Sequence, residues 1–177
     1  MHKKHFPYFL LVTLALFSCK KVDKLTQFEM EYDTKVTVPS STGVNLPVNL
    51  TTPPVETNSE ATFEVNDTRK DKIEQIVLTD LDITVTVPNG EDFSFLESIA
   101  VYMYAQDLPE ILLASKDSIP ATATKLVMDT TGEDLQEYIK KDAFTLRVKT
   151  VTDEVIATDY DLNVHQIFFV DAVVLGQ

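Results

Sequence analysis

The chain has 177 residues but no tryptophan, one cysteine, four glycines and three histidines. Each shortage closes a route to function. A lone thiol, Cys19, permits no disulfide framework. Four glycines supply no glycine-rich phosphate loop, and no Gly-x-Ser-x-Gly elbow occurs. Transition metals favour clusters of His and Cys, and only His165 stands beyond the first few residues. Basic residues are also scarce. Fifteen Lys and Arg face 28 Asp and Glu, giving a formal net charge of −13. Nucleic-acid binding needs a basic footprint, so no nucleic-acid partner is expected. The missing tryptophan removes the Cys…Trp…Cys hallmark of immunoglobulin domains and the commonest sugar platform. No metal and no cofactor are expected.

What is present begins with the first residues. Lys3 and Lys4 make a positive start, and Phe6 to Phe17 carries no charge. Ser18 is small and precedes Cys19. That is the layout of a secretory signal. The apolar run is about a dozen residues, whereas a bilayer span needs roughly 20. Leu16-Phe17-Ser18-Cys19 resembles the lipobox of bacterial lipoproteins. That resemblance implies a diacylglycerol on the Cys19 thiol, cleavage of residues 1–18 and acylation of the new amino group. Two or more chains anchor a protein stably, so the membrane is an expected partner through acyl chains on Cys19. Residues 19–26 then form a lipidated tether. Lys20, Lys21 and Lys24 lie beside the anchor, within reach of lipid phosphates.

Residues 27–177 have the length of one domain and need no staples to bury a core. Their dominant period is two. Phe28, Met30, Tyr32, Val36 and Val38 alternate with polar residues, as in a strand with one buried face. Val44, Leu46, Val48 and Leu50 repeat the rule, with Pro47 pointing to an edge or bulge. Residues 51–60 read as a loop. Ala61, Phe63 and Val65 share one side of a short strand pattern. Residues 66–81 are ambiguous: Ile73, Ile76 and Val77 fit a helical turn or two, which Asp67 could cap. Leu81, Ile83, Val85 and Val87 alternate again, and Pro88-Asn89-Gly90 closes that strand. Ile99, Val101 and Met103 face one way; Tyr102 and Tyr104 face the other. Residues 110–115 and 124–129 are short strands flanking Pro120.

Residues 130–142 are the clearest helix, with Thr131 and Asp134 at capping-box spacing and Leu135, Tyr138 and Ile139 as its apolar stripe. Phe144, Leu146 and Val148 alternate. A short strand and a long one end the chain, the latter with Tyr160, Leu162, Val164, Phe168 and Val170 on one face. About nine strands at this spacing, without β–helix–β alternation, predict an all-β fold. The expected architecture is a two-sheet antiparallel β-sandwich, Ig-like or jelly-roll-like, with one short helix after the signal peptide.

Chemistry is sparse. A nucleophile–His–acid set needs a positioned nucleophile, and His165 sits alone in a strand pattern. Asp159, Asp161 and Asn163 begin like a calcium loop, but Val164 and Val170 stand where Gly and Glu belong. Asp80 and Asp82, and Glu91 with Asp92, are acidic pairs near strand ends. Carboxylate pairs for glycoside hydrolysis are not singled out. Tyr102 and Tyr104 project together, with Phe93 and Phe95 nearby, as the candidate ligand or partner face. Asp117-Ser118-Ile119 and Asp129-Thr130-Thr131 resemble the O-glycosylation acceptor of exported Bacteroidota proteins.

Together the lipobox and the apolar spacing of IVLTDLDITVTVP, DFSFLESIAVYMYA, SIPATATKLVMD and GEDLQEYIKKDAFTLRVKT resemble the small outer-membrane lipoproteins of the Bacteroidota. The resemblance implies a β-sandwich on an outer membrane and carries over no catalytic residue. Lys20 and Lys21 stand where surface-exported members carry acids, which favours the periplasmic face over the cell surface. The expected function is a non-enzymatic binding or structural module of the cell envelope. An envelope protein is its expected partner. A glycan-binding accessory role is the alternative, and a hydrolase the third reading.

Overall fold

Alternating side chains let one strand face water and core at once, and most of this chain is written that way. The computed structural model describes residues 27–40 and 43–173. Residues 1–26, with the signal, Cys19 and the tether, lie outside the described residues. The elements run β1 (Gln27–Val38), β2 (Pro47–Thr51), β3 (Val55–Glu56), helix α1 (Ser59–Val65), a 3-10 turn (Lys70–Lys72) and β4 (Ile73–Val87). Then follow β5 (Leu96–Ala105), β6 (Ile111–Asp117), β7 (Lys125–Val127), β8 (Asp129–Thr130), helix α2 (Gln136–Ile139), β9 (Ala143–Thr152) and β10 (Tyr160–Ala172).

The strands form two antiparallel sheets, as expected of a sandwich. The first has the order β1-β10-β4-β7. The second has the order β2-β9-β5-β6-β8, and β3 also pairs with β9. The inner faces bury Val36, Val38, Leu81, Ile83, Leu162, Val164, Phe168 and Val170 from the first sheet. Val101, Met103, Leu113, Phe144, Leu146 and Val148 meet them from the second. Phe93 and Phe95 are also buried, so neither joins an outer aromatic face. Fully burying one such side chain contributes about 1.5–3 kcal/mol. Tyr32, Phe144 and Phe168 meet edge-on, with ring centroids 5.4, 5.7 and 6.2 Å apart. The Tyr32 hydroxyl donates to the Thr57 carbonyl at 2.8 Å, and burial raises its pKa.

Several local expectations are corrected. Residues 59–65 form a helix, not a strand: Ser59 and Phe63, four apart, face inward, while Val65 is 80% exposed. The fold therefore has two helices among the described residues, and ten strands. Ile73, Ile76 and Val77 open β4 rather than a helical turn. Register shifts leave Glu74, Thr79 and Thr86 without partners on β10, so each marks a bulge. A bulge adds one residue and turns the inward interval from two into three. The buried positions Ile73, Ile76, Leu78, Leu81 and Ile83 follow that rule and imitate a helix. The Thr86 bulge also turns Val87 outward.

Over 130–142 only Gln136–Ile139 is helical, and the capping box does not form. The Thr131 hydroxyl donates to the Leu112 carbonyl at 3.2 Å, beside β6. Asp134 instead accepts the N–H groups of Ile76 and Gln136, each at 3.1 Å. Leu135, Tyr138 and Ile139 are buried, as their spacing predicts. Residues 153–159 connect β9 to β10 without the expected short strand. β2 starts at Pro47 on a sheet edge, where its missing N–H costs no ladder bond, and Leu46 is exposed. Gly90, at φ 87°, makes the expected turn after β4.

Candidate functional site

β5 and β9 pair so that Tyr102 lies opposite Arg147 and Tyr104 opposite Thr145. Both tyrosines sit on the outer face of the second sheet, and Tyr104 is 38% exposed. The Arg147 guanidinium lies 4.6 Å from the Tyr102 ring centroid. Such a cation over a π face is held by the ring quadrupole. Arg147 also donates twice to Glu110, from Nε to Oε1 at 2.6 Å and from Nη2 to Oε2 at 2.5 Å. Its Nη1 donates to Asn49 Oδ1 on β2. Two parallel bonds between planar groups fix orientation as well as distance. The Arg147 hydrogen bonds hold the Glu110 carboxyl below its usual range, against partial burial. Glu110 in turn raises the Arg147 pKa, so the pair stays ionised at neutral pH.

Beside Tyr102 the sheet carries Ser98, Ala100 and Ser115, three small side chains on adjacent strands. They floor a groove of about 210 Å³ bounded by Tyr102, Asp117, Lys149 and Val151. Lys149 is exposed and forms no ion pair among the described residues. The groove therefore offers a cation, a carboxylate, two hydroxyls and an aromatic edge.

A larger cavity, about 450 Å³, gathers Glu56, Glu60, Glu64, Asp142 and Lys70 around the start of α1. All four acids are exposed. A glycosidase acid needs burial against apolar groups to hold its proton, and these positions lack it. His165 lies on the other sheet, its Nδ1 3.1 Å from Asp33. No serine, threonine or cysteine hydrogen-bonds it among the described residues. The acids of the calcium-like ladder serve the β1–β10 pairing. Asp159 accepts the Ser40 N–H at 2.8 Å, which lowers its pKa, and Asp161 accepts the Thr37 hydroxyl at 2.7 Å. Asp82 pairs with Lys125 at 2.5 Å, Asp92 accepts the Ser94 N–H at 3.0 Å, and Glu91 accepts the Tyr160 hydroxyl. Among the described residues no group of three or more His, Cys, Asp or Glu is placed to hold a metal.

Tyr102 and Tyr104 share one face, as the alternation of β5 predicts, but the groups around them were not foreseen. Arg147 and Lys149 alternate outward in AFTLRVKT, which was a usable signal. Glu110 sits in the turn before β6 and had none. No protein-family model matches this chain, and no curated protein matches it.

Proposed function

We propose that this chain is a non-enzymatic binding module of a bacterial cell envelope, held at the outer membrane by acyl chains on Cys19. The outer face of the second sheet is its ligand surface. One observation carries this reading: Arg147, fixed by Glu110 and Asn49 over Tyr102, stands beside an open groove. A fixed polar constellation binds with little loss of side-chain freedom. A partner of the envelope is favoured, and the basic Lys20-Lys21 start favours the periplasmic face.

Two experiments test it. Intact mass of membrane-extracted protein should match residues 19–177 plus acyl chains, and the Cys19→Ala form should lack them. A mass without lipid removes the anchor. Pulldown from solubilised membranes should recover a partner that Arg147→Ala with Lys149→Ala loses. Unchanged recovery moves the surface elsewhere.

The adjacent Tyr102 and Tyr104 rings favour a glycan as the second reading. Glycan-array binding unchanged by Tyr102→Ala with Tyr104→Ala would end it.

A further inference from the structure

The outer face of the first sheet has a different character. Its central residues are apolar: Phe169 and Ile167 on β10, with Val77 on β4. All three are partly exposed, and none is packed against the core. Pairing sets them in rows with acids. Glu29, Phe169 and Val77 form one row across β1, β10 and β4. Glu31, Ile167 and Asp80 form the next, and Asp33, His165 and Asp82 the third. Ile167 thus lies between two carboxylates, and the Phe169–Val77 pair is flanked by one on the β1 side.

The third row is internally satisfied. Asp33 accepts from Asn163 at 2.9 Å and sits beside His165, and Asp82 holds Lys125. Glu29, Glu31 and Asp80 have no hydrogen bond or ion pair among the described residues. They are the charges flanking Phe169 and Ile167.

We propose that this face docks a basic segment of a partner protein. Its lysines or arginines meet Glu29, Glu31 and Asp80, while an apolar side chain seats on Phe169 and Ile167. Charge complementarity selects this occupant. A second copy, docked face to face, would oppose the same carboxylates, and like charges across an interface cost several kcal/mol. Anionic lipid is repelled for the same reason. The apolar centre with a charged rim is the usual division between anchoring and steering. This surface is independent of the groove on the second sheet, so either reading survives failure of the other.

The test uses the full chain and two fluorescein-labelled peptides, one alternating lysine with leucine and one alternating lysine with serine. The lysine–leucine peptide should bind about tenfold more tightly than the other. Phe169→Ser should erase that difference. Glu29→Lys with Glu31→Lys should weaken both peptides about tenfold and flatten the salt dependence. Glu60→Lys with Glu64→Lys, at the α1 cavity, should change affinity by less than about twofold. Circular dichroism melts confirm that each variant folds, and Ile167→Thr replaces Phe169→Ser should the latter not fold. Equal loss from the two charge-reversal pairs would make the attraction nonspecific and overturn the proposal. So would equal affinity for the two peptides, or no binding at low salt. A dimer in sedimentation that Phe169→Ser dissolves would give the face to a second copy and overturn it as well.

Discussion

Arg147 is a long side chain made rigid by its neighbours. Its fork matches the Glu110 carboxylate, and the Tyr102 ring closes off one face. Lysine keeps the charge but loses the fork and the planar stack. Arg147→Lys should therefore let the Glu110 carboxyl rise back toward the usual carboxylate range, read by NMR titration. Because both partners reach solvent, the melting temperature should hardly move. The sign of the pH effect follows from the same direction of shift. A carboxyl depressed in the folded state adds stability above its unfolded-state value, and that stability is lost as pH falls through the folded value. Asp33, lowered chiefly by its Asn163 hydrogen bond, acts in the same sense. Urea melts should thus weaken steadily below about pH 4, and the acid limb of Arg147→Lys should flatten only by the small amount of stability that the variant loses at neutral pH. An unchanged limb would place the acid sensitivity elsewhere.

At the scale of elements, the bulges of β4 carry the most information about the fold. Deleting Thr79 would remove one bulge and shift the register of everything before it by one residue. A one-residue slip exchanges the two faces of a strand. Ile76 and Leu78 would leave the core, and each large apolar side chain lost there costs about 2–5 kcal/mol. Thr79→Ala removes only one exposed hydrogen bond, to the Ile167 carbonyl, worth about 0.5–1.5 kcal/mol. Chemical denaturation of the two variants should separate them clearly; equal losses would mean that the bulge does not set the register. The short helix α1 gives a second contrast. Phe63, fully buried and edge-on to Phe28 at 6.2 Å, should cost about 3–5 kcal/mol as Phe63→Ala. Val65→Ala, two residues on and exposed, should stay within about 0.5 kcal/mol. Comparable losses at the two positions would restore the strand reading of ATFEV.

These same elements mark what was legible in the sequence. Strict alternation in β1, β5, β9 and β10 gave their faces directly, because a strand side chain has only two directions. Bulges hid the start of β4, since the three-residue interval they create is also the helical one. The seven-residue α1 carried too few turns to show its own period. Thr131 matched a capping box by spacing, yet a sheet carbonyl took its hydroxyl. The proposed ligand face was half legible: both tyrosines followed from parity, whereas Glu110 depended on where a turn returns.

The whole molecule adds what no local pattern contains. β1 closes on β10 from the other end of the chain, with Gln27 opposite Asp171 and Val38 opposite Tyr160. Parity told which face each strand buries but not which strands meet. Closure also concentrates charge. The pairing sets Glu29, Glu31 and Asp33 in one file along β1, with Asp171 diagonal to Glu29, on a chain already at −13. Self-repulsion in such a chain destabilises the compact state. Opposing this are a few exposed ion pairs, each worth about 0–1 kcal/mol and equally screened by salt. With 28 acids against 15 bases, repulsive pairs outnumber attractive ones. Screening should then stabilise the fold. Raising sodium chloride from 0.01 M to 0.15 M shortens the Debye length from about 30 Å to about 8 Å, which removes most long-range repulsion. A gain of about 1 kcal/mol corresponds to roughly 2–4 °C for a domain of this size. Differential scanning calorimetry at the two salt concentrations reads that shift. A fall in melting temperature would instead mean that ion pairs such as Arg147–Glu110 and Lys125–Asp82 outweigh the acidic excess.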